Sequence, residues 1–144
     1  KAHRFSSMVK DVTEFLADLP LDPPRAKLEM KVTYQDPCHL AHAQRITRPP
    51  RALLHAIPGL ELVEMRDPTR CCGAAGIYSV LQKKMSRQLL ENKMKDVAST
   101  GARVVATANP GCMMQLQLGW YLSGVDGQVY HVVELLDKAY QAEA

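Results

Sequence analysis

The sequence predicts an α/β domain, with a mostly parallel sheet of about four strands and helices on both faces. Short β-rich runs alternate with amphipathic helical runs along most of the chain. Strands separated by helices need crossover connections, which makes their neighbours parallel. Glycine or proline stands near most of the boundaries between runs.

The elements follow in order. In "FSSMVKDVTEFLADLP", Phe5, Met8, Val9, Val12, Phe15, Leu16 and Leu19 recur at three- and four-residue steps, which predicts one amphipathic helix stopped by Pro20. "LDPPRAK" reads as a linker. The chain therefore divides into an N-terminal helix and linker, 1–29, and a domain, 30–144. "KLEMKVTY" predicts a strand ending near Tyr34, and "PPRALLHAI" a helix with Pro50 near its start and Pro58-Gly59 beyond its end. "LELVEM" is a second strand. "SRQLLENKMKDVAST" is a helix with Ser86 as N-cap, closed by Gly101. "ARVVATA" is a third strand, "MMQLQLGWYL" a helix running towards Gly124, "QVYHVV" a fourth strand and "ELLDKAYQ" a last helix. The order describes a Rossmann-like three-layer domain. The apolar faces of the first and last helices are expected to pack on another surface.

Composition narrows the function classes. The 144 residues suffice for one domain with a core, and the net charge of +3 comes from scattered rather than blocked cations. That pattern argues against a nucleic-acid footprint. No apolar run approaches the about 18 residues that span a bilayer, so membrane contact is expected to be indirect. The chain opens on Lys1 without a signal peptide, and is expected to be part of something longer.

The chemistry concentrates in four cysteines. Cys38 follows the first strand in "YQDPCHLAHA", Cys71 and Cys72 follow the second in "RDPTRCCGAAG", and Cys112 follows the third in "ANPGCMMQ". In a parallel sheet those strand ends share the edge where ligands bind. Three loops distant in sequence thus bring four sulfurs toward one place, whereas core cysteines should lie within strands and helices. Adjacent cysteines are poor disulfide partners, so a shared metal or cluster site is the reading taken. Cys72 and Cys112 precede helical sequence, where backbone N–H groups favour thiolate. Gly73, Gly76 and Gly111 let backbone approach a bulky inorganic group.

Cys38, Cys71-Cys72-Gly73 after thirty-two intervening residues, and Asn109-Pro110-Gly111-Cys112 together resemble the cysteine-rich "CCG" domain. That domain occurs in heterodisulfide reductase subunits, lactate-utilisation proteins, the anaerobic glycerol-3-phosphate dehydrogenase and the iron–sulfur subunit of glycolate oxidase. The words "DPCHLAHAQ", "PRALLHAIPGLELVEM", "CCGAAGIY" and "ATANPGCMMQLQLG" are most similar to the carboxyl-terminal part of the last. The resemblance implies a piece of an electron-transfer subunit that accepts electrons from flavin subunits oxidising a 2-hydroxy acid and passes them toward quinone. It implies a cytoplasmic protein, held at the inner face of the cell membrane through its complex, with a second CCG domain in the full subunit. The fragment is not expected to be catalytic alone.

In the family the last tetrad is usually Cys-x-x-Cys, and full sites hold a non-cubane pair of fused iron–sulfur units on five cysteines, or sometimes zinc. Here Asn109 stands in place of the tetrad's first cysteine, and Asn is a weak ligand for a soft site. Cys38, Cys71, Cys72 and Cys112 are the candidate ligands, with His39 and Asn109 as extra candidates. A four-cysteine [4Fe–4S]-type cluster, a zinc centre, and a docking domain that has lost its metal all remain open. His131 lies near the same edge, whereas His42 and His55 read as ordinary loop and helix residues, and Asp36 and Arg45 are candidate hydrogen-bonders around the site. "CCGAAG" is not G-x-G-x-x-G and lacks the later acidic partner of a dinucleotide site. Thiol chemistry at Cys71 or Cys72 is a third alternative.

Overall fold

The computed structural model describes residues 1–143. Its sheet has four strands: β1 (Met30–Tyr34), β2 (Leu60–Leu62), β3 (Val104–Thr107) and β4 (Gln128–His131). All pair in parallel in the order β2-β1-β3-β4. The helices are α1 (Ala2–Ser6), α2 (Val12–Ala17), α3 (Arg48–His55), α4 (Tyr78–Leu81), α5 (Lys83–Ser99), α6 (Pro110–Ser123) and α7 (Val132–Gln141), with a π-helical turn at His39–Gln44.

Strand periodicity sends alternate side chains into two cores. Val32 and Tyr34 of β1, with Ala106 of β3, meet Leu53 and Leu54 of α3 and Val132, Leu135, Leu136 and Ala139 of α7. Val105, one residue out of phase, meets Val97 of α5 and Leu116 and Trp120 of α6 on the other face. The result is three layers, as the alternation of runs predicts. The chain leaves β1 for β2 through α3 and returns past β1 to β3 through α5. Consecutive crossovers therefore lie on opposite faces, and the gap between the carboxyl ends of β1 and β3 is the topological switch point where such folds bind ligands.

Several boundaries differ from the expectation. The predicted first helix is two short helices broken over Ser7–Asp11, and Asp11 caps the second by accepting from the Thr13 N–H. Its apolar residues Phe5, Met8, Val9 and Phe15 stay exposed, because no core of this chain reaches them. The apolar face of α7, by contrast, is spent inside the chain's own core rather than on a second domain. The fourth strand stops at His131, whose side chain accepts from the Val133 N–H while Glu134 bonds back to the His131 N–H. That capping box starts α7 two residues earlier than the pattern suggests. Ser86 is not an N-cap: α5 begins at Lys83, and Ser86 is buried within its first turn. Gly101 follows the end of α5 at φ +71°, as read.

Candidate metal centre

Each cysteine-bearing loop is fixed by a polar contact at its root. After β1, the Asp36 carboxylate is buried and receives both Arg51 terminal nitrogens, at 2.9 and 2.8 Å, while Arg51 also reaches Glu64. That fork ties the loop leading to Cys38 to α3 and to the chain just beyond β2. Cys38 itself is exposed and opens the π-helical turn.

After β2, the loop 66–73 lies on α5. Ser86, Leu90, Lys93 and Val97 form one buried stripe of that helix. Two of the four are polar, and both hold this loop. The Ser86 hydroxyl donates to the Gly73 carbonyl at 2.8 Å and accepts from the Gln115 amide of α6 at 3.0 Å. Lys93 Nζ donates to the carbonyls of Asp67 and Pro68, at 2.8 and 3.2 Å. Gly73 has φ +91°, and a Cβ there would meet the Ser86 carbonyl oxygen at 2.5 Å, so only glycine fits. Between these two anchors stand Cys71 and Cys72. Cys72 does not open a helix, because the next one begins at Tyr78.

After β3, Asn109 is the N-cap of α6. Its side-chain oxygen accepts from the Cys112 N–H at 3.0 Å, and its amide nitrogen stands 3.4 Å from His39 Nδ1. Cys112 lies inside the first turn of α6 rather than before the helix, because α6 starts at Pro110, earlier than read. Leu116, Trp120 and Gly119 continue its buried face.

These three loops converge. A cavity of about 240 Å³ is lined by Cys38, Cys71, Cys72 and Cys112, together with Gln35, His39, Asn109 and the glycine-alanine turn after Cys72. All four sequence-predicted cysteines line one space. His131 is engaged in its helix cap, and neither it nor His42 or His55 lines the cavity. Arg45 stands at φ +59° after the π-helical turn, and Asp36 is committed to Arg51. Lys93 and Gln115 escaped sequence reading and Ser86 was read only as a helix cap, although two polar residues in register with Leu90 and Val97 were a visible signal.

The sulfurs are not equivalent. Cys72 and Cys112 are buried and their sulfurs are 3.3 Å apart, sharing a hydrogen bond. That bond draws the Cys72 thiol down to about 7, helped by backbone N–H groups at its own position and at Ala74, against the effect of burial. The partner moves the other way. Cys112 is pushed up by the same hydrogen bond and by burial, so the helix start does not make it the thiolate. Burial also raises Cys71, partly offset by the Gly73 N–H that points at its sulfur at 3.3 Å.

Four thiols around a glycine-lined space suit a polynuclear thiolate-held centre. A lone tetrahedral ion needs ligands converging on a single point. Among the described residues, no group of three or more His, Cys, Asp or Glu side chains is so placed. The zinc alternative thus has no support in this geometry. Asn109 spends its oxygen on the helix cap, which leaves its role positional unless the cap opens.

An α/β sheet whose switch-point loops gather cysteines defines the class, and sequence comparison gives the family. The chain belongs to the CCG cysteine-rich domain family, whose model matches residues 32–117. It is 40% identical over 141 residues to the probable glycolate oxidase iron-sulfur subunit of Bacillus subtilis (strain 168), covering 96% of this chain and 31% of that protein. It is 36% identical over 133 residues to one of the subunits of the fumarate reductase (CoM/CoB) of Methanothermobacter marburgensis, covering 92% of this chain and 27% of that protein. Similarity to lactate utilization protein A of Shouchella clausii is 30% over 138 residues, covering 95% of this chain and 58% of the relative. The chain thus spans less than a third of the first two relatives, at 31% and 27%, and somewhat over half of the third.

Proposed function

We propose that this domain holds an iron–sulfur cluster, of [4Fe–4S] type, on Cys38, Cys71, Cys72 and Cys112. The domain then serves as an electron-carrying module of a subunit similar to the glycolate oxidase iron-sulfur subunit. One observation carries the reading: four cysteines from three separate loops line a single cavity at the switch point of the sheet. When bound, such a cluster supplies one-electron redox chemistry. The chain's own residues supply the wall. Gly76 and Gly111 keep side chains out of it, Cys72 and Cys112 form its buried side, and Cys38 closes its exposed side. In the whole protein, electrons pass from flavin-containing subunits oxidising a 2-hydroxy acid toward quinone, and a second CCG domain stands beside this one. The complex is placed in the cytoplasm at the inner face of the membrane. No helix among the described residues is long and apolar enough to cross a bilayer.

The test is replacement of each cysteine by serine in protein purified without oxygen, with His42→Ala as a control outside the cavity. Each cysteine variant is expected to lose most of the iron and its visible absorption while keeping the helical circular dichroism. Iron unaffected by Cys72→Ser and Cys112→Ser would sink the ligand assignment.

A second reading, a docking domain without metal, is favoured by a specific observation. Ile77, Val80 and Leu81 around α4, with Met114 and Tyr121 of α6, are all well exposed. Exposed apolar side chains of that size suit a protein partner. Iron-free chain with four free thiols would select this reading.

A further inference from the structure

Lys93 is fully buried, yet it belongs to no catalytic or ligand set described above. A buried ammonium is costly unless its donors are satisfied, and a helix stripe that needs only packing would carry leucine there. Its donors go to backbone: the Asp67 and Pro68 carbonyls, with Met65 Sδ at 3.6 Å. The carboxylates nearby are taken by other cations. Asp67 pairs with Arg70 at 3.2 Å, and Asp96 with Arg70 at 3.3 Å and Arg66 at 3.4 Å. Three cations, Arg66, Arg70 and Lys93, therefore face two carboxylates, Asp67 and Asp96. The surplus positive charge lies under the loop that leads to Cys71 and Cys72.

We propose that Lys93 is a positioning residue of the cysteine site. It pegs the loop at Asp67 and Pro68 while Ser86 pegs it at Gly73, so that Cys72 is held against Cys112, and its charge offsets the negative charge that thiolates bring to the cavity. Cysteine side chains alone do not fix the loop: Ser86 holds it to α5 at Gly73, Arg66 and Arg70 reach Asp96 of α5 from its more exposed side, and Lys93 is the fully buried anchor between them. The placement part of the proposal stands on contacts within this chain. The charge part rests on the cluster reading.

The experiment separates the two. Lys93→Met keeps buried volume but removes both charge and donors, whereas Lys93→Gln keeps a donor and removes the charge. In the reduced, metal-free full chain, the rate at which a bifunctional thiol reagent bridges Cys72 to Cys112 is measured against single alkylation of Cys72 and of Cys38. Lys93→Met is expected to slow bridging about tenfold or more, since small misplacements of reacting groups cost that much. Single alkylation should change far less, and Lys93→Gln should recover most of the bridging rate. In iron-loaded protein both variants should shift the reduction potential in the negative direction, because a nearby cation favours the reduced, more negative state. Circular dichroism confirms folding; should Lys93→Met not fold, Lys93→Leu takes its place in the bridging comparison, while Lys93→Gln decides the charge role through its potential. Wild-type bridging in a folded Lys93→Met variant overturns the placement, and an unchanged potential in Lys93→Gln overturns the charge role. Wild-type chain that binds no iron would defeat the cluster reading and the charge role together, while the bridging comparison would still decide the placement.

Discussion

At the residue scale, the site depends on where side chains are missing as much as on where sulfur is present. Gly73 and Gly76 both have positive φ, at +91° and +60°, but their surroundings differ. A Cβ at Gly73 would press on the Ser86 carbonyl and lie 3.1 Å from the Gln115 amide, whereas one at Gly76 meets nothing within 4 Å. Gly73→Ala should therefore combine backbone strain with a clash and cost about 2–4 kcal/mol. Gly76→Ala should cost only the left-handed conformation, about 1–2 kcal/mol. Denaturant unfolding of the two variants checks the difference; equal losses would mean that the close packing of Gly73 on α5 is not felt. The sulfurs show the same dependence on neighbours. Cys72 and Cys112 are buried alike, yet one is held toward thiolate and the other toward thiol, because two sulfurs 3.3 Å apart share one proton.

At the scale of elements, α5 is both a core helix and a mount for the Cys71-Cys72 loop. Val97 packs into the sheet-side core and Leu90 against Gly119 of α6, while Ser86 and Lys93, on the same stripe, take up the loop. Ser86→Ala would leave the Gly73 carbonyl and the Gln115 amide buried without that partner. A loss of about 1–3 kcal/mol is expected, with faster alkylation of Cys71 and Cys72 as the loop loosens. An unchanged alkylation rate would show that Ser86 only packs. Sequence periodicity could locate this helix but not this function. Ser86 sits just before an apolar run and reads as a cap, since a hydroxyl at that place is the usual start signal. The extra turn before it, Lys83 to Met85, carries little apolar pattern and gives no sign of being helical. The N-terminal region failed differently. Its apolar spacing is genuine, but with Phe5, Met8 and Val9 exposed there is no packing to hold the segment as one helix, and short helices need such packing. Asn109 was legible as the departure from a cysteine tetrad. Its use as the cap of α6 follows from its position before Pro110, a common first residue of a helix.

At the scale of the whole molecule, the parallel order β2-β1-β3-β4 does what no single motif does. It sets the ends of β1 and β3 side by side and places the loop after β2 within reach, so residues as far apart in sequence as Cys38 and Cys112 face one cavity. That convergence was readable beforehand, because a strand-end position is a local property and a parallel sheet turns it into a shared edge. The spacing of the sulfurs was not readable, since it depends on the Arg51–Asp36 fork, the Ser86 and Lys93 anchors and the Asn109 cap acting together. The central claim is that the four sulfurs act as one inorganic site. Iron and acid-labile sulfide, measured together on the full chain purified without oxygen, test it most directly. Iron and sulfide in near-equal amounts, at about four of each per chain for a four-cysteine cubane, is the predicted result. Chain that carries neither, with all four thiols free to react, would contradict it.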